Sequence, residues 1–128
     1  MLKVFYYYYY LFYSKVLVQP EPHFVTVLVL SAMEGFLISY SIEFLSVNQL
    51  CILPLDIEHK LFVHSALLII NFIYFERKGK GVEIVKKKPK FFNNHYQSIA
   101  IVLLVTLLII SFLFWAADYK LSVLKKCQ

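Results

Sequence analysis

The sequence predicts an all-α integral membrane protein, with three transmembrane helices behind an aromatic N-terminal interfacial helix. Three observations lead there. Apolar residues make up 60% of 128 residues, with a mean hydropathy of +0.67, well above soluble composition. Charged residues are only 16%, yet Lys and Arg outnumber Asp and Glu by 13 to 8, so positive charge is concentrated in a few polar stretches. Three apolar segments also approach the ~20 residues needed to cross roughly 30 Å of hydrocarbon. The length allows a single membrane domain, divided into an interfacial segment at 3–18, spans at 23–46, 55–76 and 97–117, a basic loop at 77–95 and a tail at 118–128.

The N-terminal run Val4 to Tyr13, VFYYYYYLFY, is too short to span as a helix. A tyrosine run is a poor signal-peptide core, and no small-residue cleavage site follows. Tyrosine favours the membrane boundary, with its ring in acyl chains and its hydroxyl in water, so an interfacial helix is expected, ending at Gln19-Pro20-Glu21-Pro22. A strand competes, because tyrosine also favours β structure.

The first span, Phe24 to Leu45, contains Glu34 and Glu43. Its twelve Leu, Ile, Val and Phe residues contribute about −0.3 to −0.6 kcal/mol each, which offsets a central acid costing roughly 2.5–3.5 kcal/mol. Glu43 lies near the end, where the penalty is smaller. The second apolar run, Leu61 to Phe75, reaches only about 22 Å as a helix. It gains length by starting at Leu55, after Pro54, with Asp56, Glu58, His59 and Lys60 among the headgroups. The third span, Ile99 to Ala117, is uncharged and interrupted only by Thr106 and Ser111.

Glu76 to His95 holds seven of the thirteen basic residues, so the positive-inside rule places this loop in the cytoplasm. The N-terminus is then cytoplasmic and the C-terminus outside. Lys3, Lys15 and the loop put nine basic residues inside, against Lys60, Lys120, Lys125 and Lys126 outside. Tyr74, Phe75, Phe91, Phe92 and Tyr96 fall at the inner boundary, Trp115 and Tyr119 at the outer one. Lys86, Lys87, Lys88 and Lys90, beside Phe91 and Phe92, are set to contact anionic lipid; the loop's net charge of about +5 adds on the order of 5 kcal/mol of attraction. The terminal Lys125-Lys126-Cys127-Gln128 has the form of a dilysine retrieval signal, but the tail falls opposite the basic loop and a retrieval signal must be cytosolic.

The order of FYYYYYLFY, three hydrophobic segments and a lysine-rich loop directly after NFIYFERKGKG resembles small uncharacterised multi-pass inner-membrane proteins of Bacteroidota along the whole chain. The resemblance implies a bacterial inner membrane. It carries over no activity and no functional residue.

Polar residues within the spans are not scattered. Ser31, Gly35 and Ser39 share one helix face at spacing four, a small-residue surface that lets another helix approach closely, with Glu34 at its border. On the second span, Asp56, Lys60, His64, Asn71 and Tyr74 fall within an arc of about 80°. That stripe should face protein. With the two helices antiparallel, Glu34 is level with His64, and Glu43 with His59 or Lys60. Glu34 and Glu43 point about 180° apart, so one needs another partner, either the third helix or a second copy.

A Glu34–His64 contact reads first as an interhelical bond fixing register, and alternatively as part of a proton or ion path. Three helices are too few to enclose a wide pore, so conduction requires an oligomer. A metal-enzyme reading of Asp56, Glu58, His59 and His64 fails on spacing, since the histidines are five apart where the helical zinc motif uses four. Cys51 and Cys127 have no metal-ligand spacing; they fall on one side of the membrane, but nothing brings them together as a disulfide. The basic character reflects one loop and the tail rather than a nucleic-acid-binding face. The sequence therefore predicts a non-enzymatic accessory or helix-packing subunit without cofactor, nucleic acid or identified small-molecule substrate. Its expected surroundings are the lipid bilayer, anionic lipids, and a homo-oligomer or membrane-protein partner.

Overall fold

The structure, a computed structural model, describes residues 2–50, 56–91 and 93–127. Five helices follow in order: α1 (Leu2–Leu11), α2 (Pro22–Leu50), α3 (Ile57–Phe72), α4 (Lys80–Lys87) and α5 (His95–Cys127). No strand occurs among the described residues. Single π-helical turns extend α1 through Phe12–Val16 and α3 through Ile73–Arg77. Three stretches are long and apolar enough to cross a membrane: Pro22–Asn48, Ile57–Arg77 and His95–Val123.

The expected elements are present, with shifted ends. Pro22 opens α2, where its fixed φ suits a first helical turn and its missing N–H is no loss. Helix α5 runs on past residue 117 through the expected tail to Cys127, because no Gly or Pro interrupts 95–127. The α3 helix starts after Asp56, which has extended backbone and makes no side-chain cap bond; the expected start at Leu55 and Pro54 lies outside the described residues. So does Cys51, and with it the question of the Cys51–Cys127 pair.

Helix α2 packs against both α3 and α5. Contacts fix the directions. Glu43, late in α2, meets Lys60 at the start of α3 and Lys120 late in α5, whereas Phe24 at the start of α2 meets Phe72 at the end of α3. Helices α2 and α5 are therefore parallel and α3 runs opposite. One end of the bundle carries α1 and α4; the far end carries the Glu43 contacts.

Burial departs from that of a water-soluble bundle in two ways. Thr26, Ser31, Ser39, Glu43, Asn71 and Ser98 are buried. Leu61, Phe62, Ile69 and Ile70 on α3, and Leu103, Leu104, Leu107 and Phe114 on α5, stay exposed. Water would penalise both choices; hydrocarbon favours both, since every polar group must there find its partner inside the protein.

Two segments differ from their sequence-based description. The loop at 77–95 contains α4, which turns Gly81 and Ile84 inward and its lysines outward. Gly79 at φ +63° makes the turn into it, and Lys88, left-handed at φ 47°, ends it before Pro89. The N-terminal helix forms, but its tyrosines are not simply wet at a boundary. Tyr6, Tyr7 and Tyr8 are buried, and α1 packs on α2, α4 and α5.

Candidate functional site

The site is a ladder of polar groups along α2. Val27, Ser31, Gly35, Ser39, Glu43 and Val47 are all buried, one row at spacing four. Such a row drifts about 40° around the helix at each step. This drift explains how Glu34 and Glu43, on opposite sides of an ideal helix, both meet protein: Glu34 borders the row on the α3 side, and by Glu43 the row has turned to lie between α3 and α5.

At the first level, Asn71 donates both amide hydrogens across the α2–α3 contact, to Glu34 Oε2 at 2.7 Å and to Ser31 Oγ at 3.1 Å. Ser31 in turn donates to the Val27 carbonyl at 2.7 Å. Each hydrogen is used once and the chain terminates on backbone, the satisfied arrangement a buried network requires.

The second level corrects the expected Glu34–His64 pair. His64 Nδ1–H donates to the Lys60 carbonyl one turn earlier at 2.7 Å, and Nε2 is buried with no partner among the described residues. The ring instead lies on Gly35, where an added Cβ would come within 2.6 Å of Cδ2, and packs edge-on against Phe36 at 4.8 Å. Gly35 is what lets the imidazole in. The small face of Ser31, Gly35 and Ser39 thus receives α3, with Asn71 at one end and His64 in the middle. Ser39 Oγ is also buried with no partner among the described residues.

At the third level Glu43, only 2% exposed, receives Lys60 Nζ at 2.6 Å and Lys120 Nζ at 3.2 Å. Of the two neighbours expected there, His59 or Lys60, it is Lys60 that pairs. Lys120 supplies the partner from the third helix, and nothing in its sequence neighbourhood pointed to Glu43. The Lys60 ammonium also stands 5.6 Å above the Tyr40 ring. Beside this level Trp115 stacks on Tyr119 at 5.2 Å, and Tyr119 donates to Asn48 Oδ1 at 2.8 Å.

The opposite end has a centre the sequence did not single out. Tyr6 is fully buried, stacked on Phe75 at 4.4 Å, with its hydroxyl 2.7 Å from His23 Nδ1. Gly81 of α4 makes room, since a Cβ there would overlap the Tyr6 hydroxyl. Burial, with Glu76 as a second cause, pushes the Tyr6 hydroxyl's pKa well above its ordinary value. Tyr9 places its hydroxyl 2.6 Å from Thr106 Oγ1 and 3.3 Å from Met33 Sδ. Tyr8 reaches His95 Nδ1 at 3.1 Å. Three tyrosine hydroxyls expected to face water therefore meet His23 and Met33 on α2 and His95 and Thr106 on α5. Within the run of five tyrosines nothing in the sequence distinguishes Tyr6.

Two hollows adjoin this end. One, of about 550 Å³, is lined by Glu21, His23, Phe72 and Glu76 among others; Glu76 Oε1 is buried with no hydrogen-bond partner among the described residues. The other, of about 310 Å³, lies between α1, α2 and α5 and is bordered by Glu34. Lys86, Lys87, Lys88 and Lys90 are exposed on and after α4, and Lys80 and Lys87 each stand 2.7 Å from Glu83. Their hydrogen bonds hold the Glu83 carboxyl at a pKa of about 2. Among the described residues no three His, Cys, Asp or Glu side chains come together as metal ligands. Compared with protein-family models, curated proteins and solved structures, the chain matches none.

Proposed function

We propose that this chain is a non-enzymatic integral membrane protein of the bacterial inner membrane, a helix-packing or accessory subunit that self-associates or joins a larger membrane complex. The observation that carries this reading is where its intramembrane polar groups are spent. Asn71 holds α3 to α2, and Lys60 and Lys120 hold α3 and α5 to Glu43; these contacts fix helix register. The broad apolar faces left on α3 and α5 suit lipid or a partner's helices. In this reading the end bearing α1 and α4 is cytoplasmic, the far end is outside, and Lys86, Lys87, Lys88 and Lys90 contact anionic headgroups.

The competing reading is an oligomeric proton- or ion-conducting protein. Its geometric support is weaker than the sequence suggested, because His64 turns to Gly35 and the Lys60 backbone instead of to Glu34. Reconstitution into liposomes with a potential-sensitive dye separates the two. An accessory subunit leaves flux at the level of empty vesicles and runs as a defined oligomer or a stoichiometric complex in native nanodiscs. Flux that disappears in Glu34→Gln would replace this proposal with the conducting one.

A further inference from the structure

The hollow of about 310 Å³ lies where three apolar seams converge without closing. From α1 come Leu2, Phe5 and Tyr9, spaced three and four apart and so on one helix face. From α2 come Met33 and Leu37, and from α5 Val105 and Ile109, each pair one turn apart. Leu2 is exposed and the other six are only half-buried, so the seams do not complete one another as a closed core would. Glu34 borders the hollow, but its carboxylate is held by Asn71 on the α3 side. The Tyr9 hydroxyl is engaged by Thr106 and Met33. What the hollow presents is hydrocarbon.

Its position decides what can fill it. The α2 and α5 wall residues stand about 15–22 Å in from the starts of their helices, in the middle of two stretches long enough to cross a bilayer. Farther on, α2 and α5 close again through Glu43 with Lys120 and Phe44 with Trp115; α1 walls the near end. Water would need two or more polar partners and finds none free. A single turn of a partner's helix, about 10 Å across and 5.4 Å high, already exceeds the volume. Left empty, the lining would forfeit dispersion contacts. On α5, Leu104 and Leu108, next in sequence to the two wall residues, are exposed, so the wall runs into the apolar outer surface. The thin apolar body available at that depth is a lipid chain.

We infer that this hollow is a lipid site, holding the end of one acyl chain of a bilayer lipid, which joins α1 to α2 and α5 while its headgroup stays outside. The inference rests on the reading of α2 and α5 as membrane spans.

The probe is a phosphatidylcholine with a nitroxide near the end of one acyl chain, titrated into the delipidated full chain in a steroidal detergent, whose fused rings are too wide to replace a chain. Met33 lines the hollow, and Met1 is the only other methionine, so ¹³C-methyl methionine spectra read the site. Broadening of the Met33 methyl should saturate at one probe per chain, be reversed by unlabelled phosphatidylcholine, and be untouched by glycerophosphocholine, which is the headgroup alone. A reporter placed on the exposed face of α5 by Leu107→Met should broaden in proportion to probe, without saturation. Val105→Phe fills the hollow and should weaken the saturable component at least tenfold; the wild-type titration decides alone should that variant aggregate. Proportional broadening at Met33, competition by glycerophosphocholine, full binding in folded Val105→Phe, or a Met33 shift that follows protein concentration without lipid, the mark of a second copy, would each overturn the assignment. Broadening at the Leu107→Met reporter alone overturns the lipid site and leaves the membrane reading standing; broadening at neither methyl overturns both.

Discussion

Glu34 and Glu43 sit on one helix, nine residues apart, and are treated in opposite ways. Glu43 is enclosed by two lysines whose side chains remain 29% and 20% exposed; Glu34 is met by an amide. The difference follows from reach and depth. Lys60 begins α3 and Lys120 lies near the end of α5, so their stems can run along the far end of the bundle and bring ammonium groups inward. Among the described residues no such anchor stands at the level of Glu34, which is met by short polar side chains, Asn71 beside Ser31. A membrane bundle thus uses ion pairs where charge can still reach water, and neutral donors deeper in.

The sharpest way to break this contrast is Glu43→Gln. It strands two partly buried ammonium groups, and about 3–5 kcal/mol of stability should be lost, measured by unfolding in mixed micelles or by steric trapping. Lys120→Met should behave quite differently, because Lys60 and Glu43 remain as a neutral pair; a loss under about 1 kcal/mol is expected, and equal losses would show that the lysines do not share one countercharge.

Gly35→Ala probes the level between the acids. The new Cβ meets the His64 ring at 2.6 Å, so α3 must shift or His64 must change rotamer, costing about 1–3 kcal/mol. A double variant with His64→Ala should recover most of it; no recovery would mean that backbone, not the imidazole, fills the gap.

Asn71→Leu removes the only hydrogen-bond donor to Glu34 among the described residues. By the measured range for interhelical bonds in membranes, a loss of about 0.6–1.7 kcal/mol is expected, smaller than that of Glu43→Gln. A reversed order would invalidate the distinction between ion-paired and amide-paired levels.

The smallest effect belongs to Glu83, a carboxylate wholly outside the spans. Lys80 and Lys87 lower its pKa from 4.5 to about 2. A depressed carboxyl pKa contributes stability that is complete above its ordinary value and is lost as pH falls through about 2. The helicity of α4 should therefore hold from neutral pH to below pH 4 and fray only toward pH 2, and the Glu83 carboxyl resonance should titrate there. A midpoint near 4.5 would show the pairs to be broken in solution. Because these are surface ion pairs, the effect on global stability is small.

Much of the interior was legible before any coordinates. The spacing of Ser31, Gly35 and Ser39 marks the surface that α3 covers, and the angular stripe of Lys60, His64 and Asn71 marks the face that covers it, because helical periodicity converts spacing directly into direction. Level alone left His59 or Lys60 as the neighbour of Glu43, and the ion pair is made by Lys60. The partner of His64 was not legible. Periodicity gives the direction of a side chain but not its rotamer, and the choice between the Glu34 carboxylate and a backbone carbonyl one turn away depends on the local approach of two helices at Gly35. Tyr6 was equally hidden, since five identical residues carry no information about which one is enclosed.

Sequence by itself determined the solvent and the helices. Long uncharged runs have no stable alternative in hydrocarbon to helices that close their own hydrogen bonds, and the lysine asymmetry is written in the same code. Only the tertiary structure decided that α1 packs among the other helices, that the basic loop folds into α4, and which carboxylate receives charge and which an amide. Those outcomes depend on contacts between residues far apart in the chain, where differences of an ångström in helix approach select the partner.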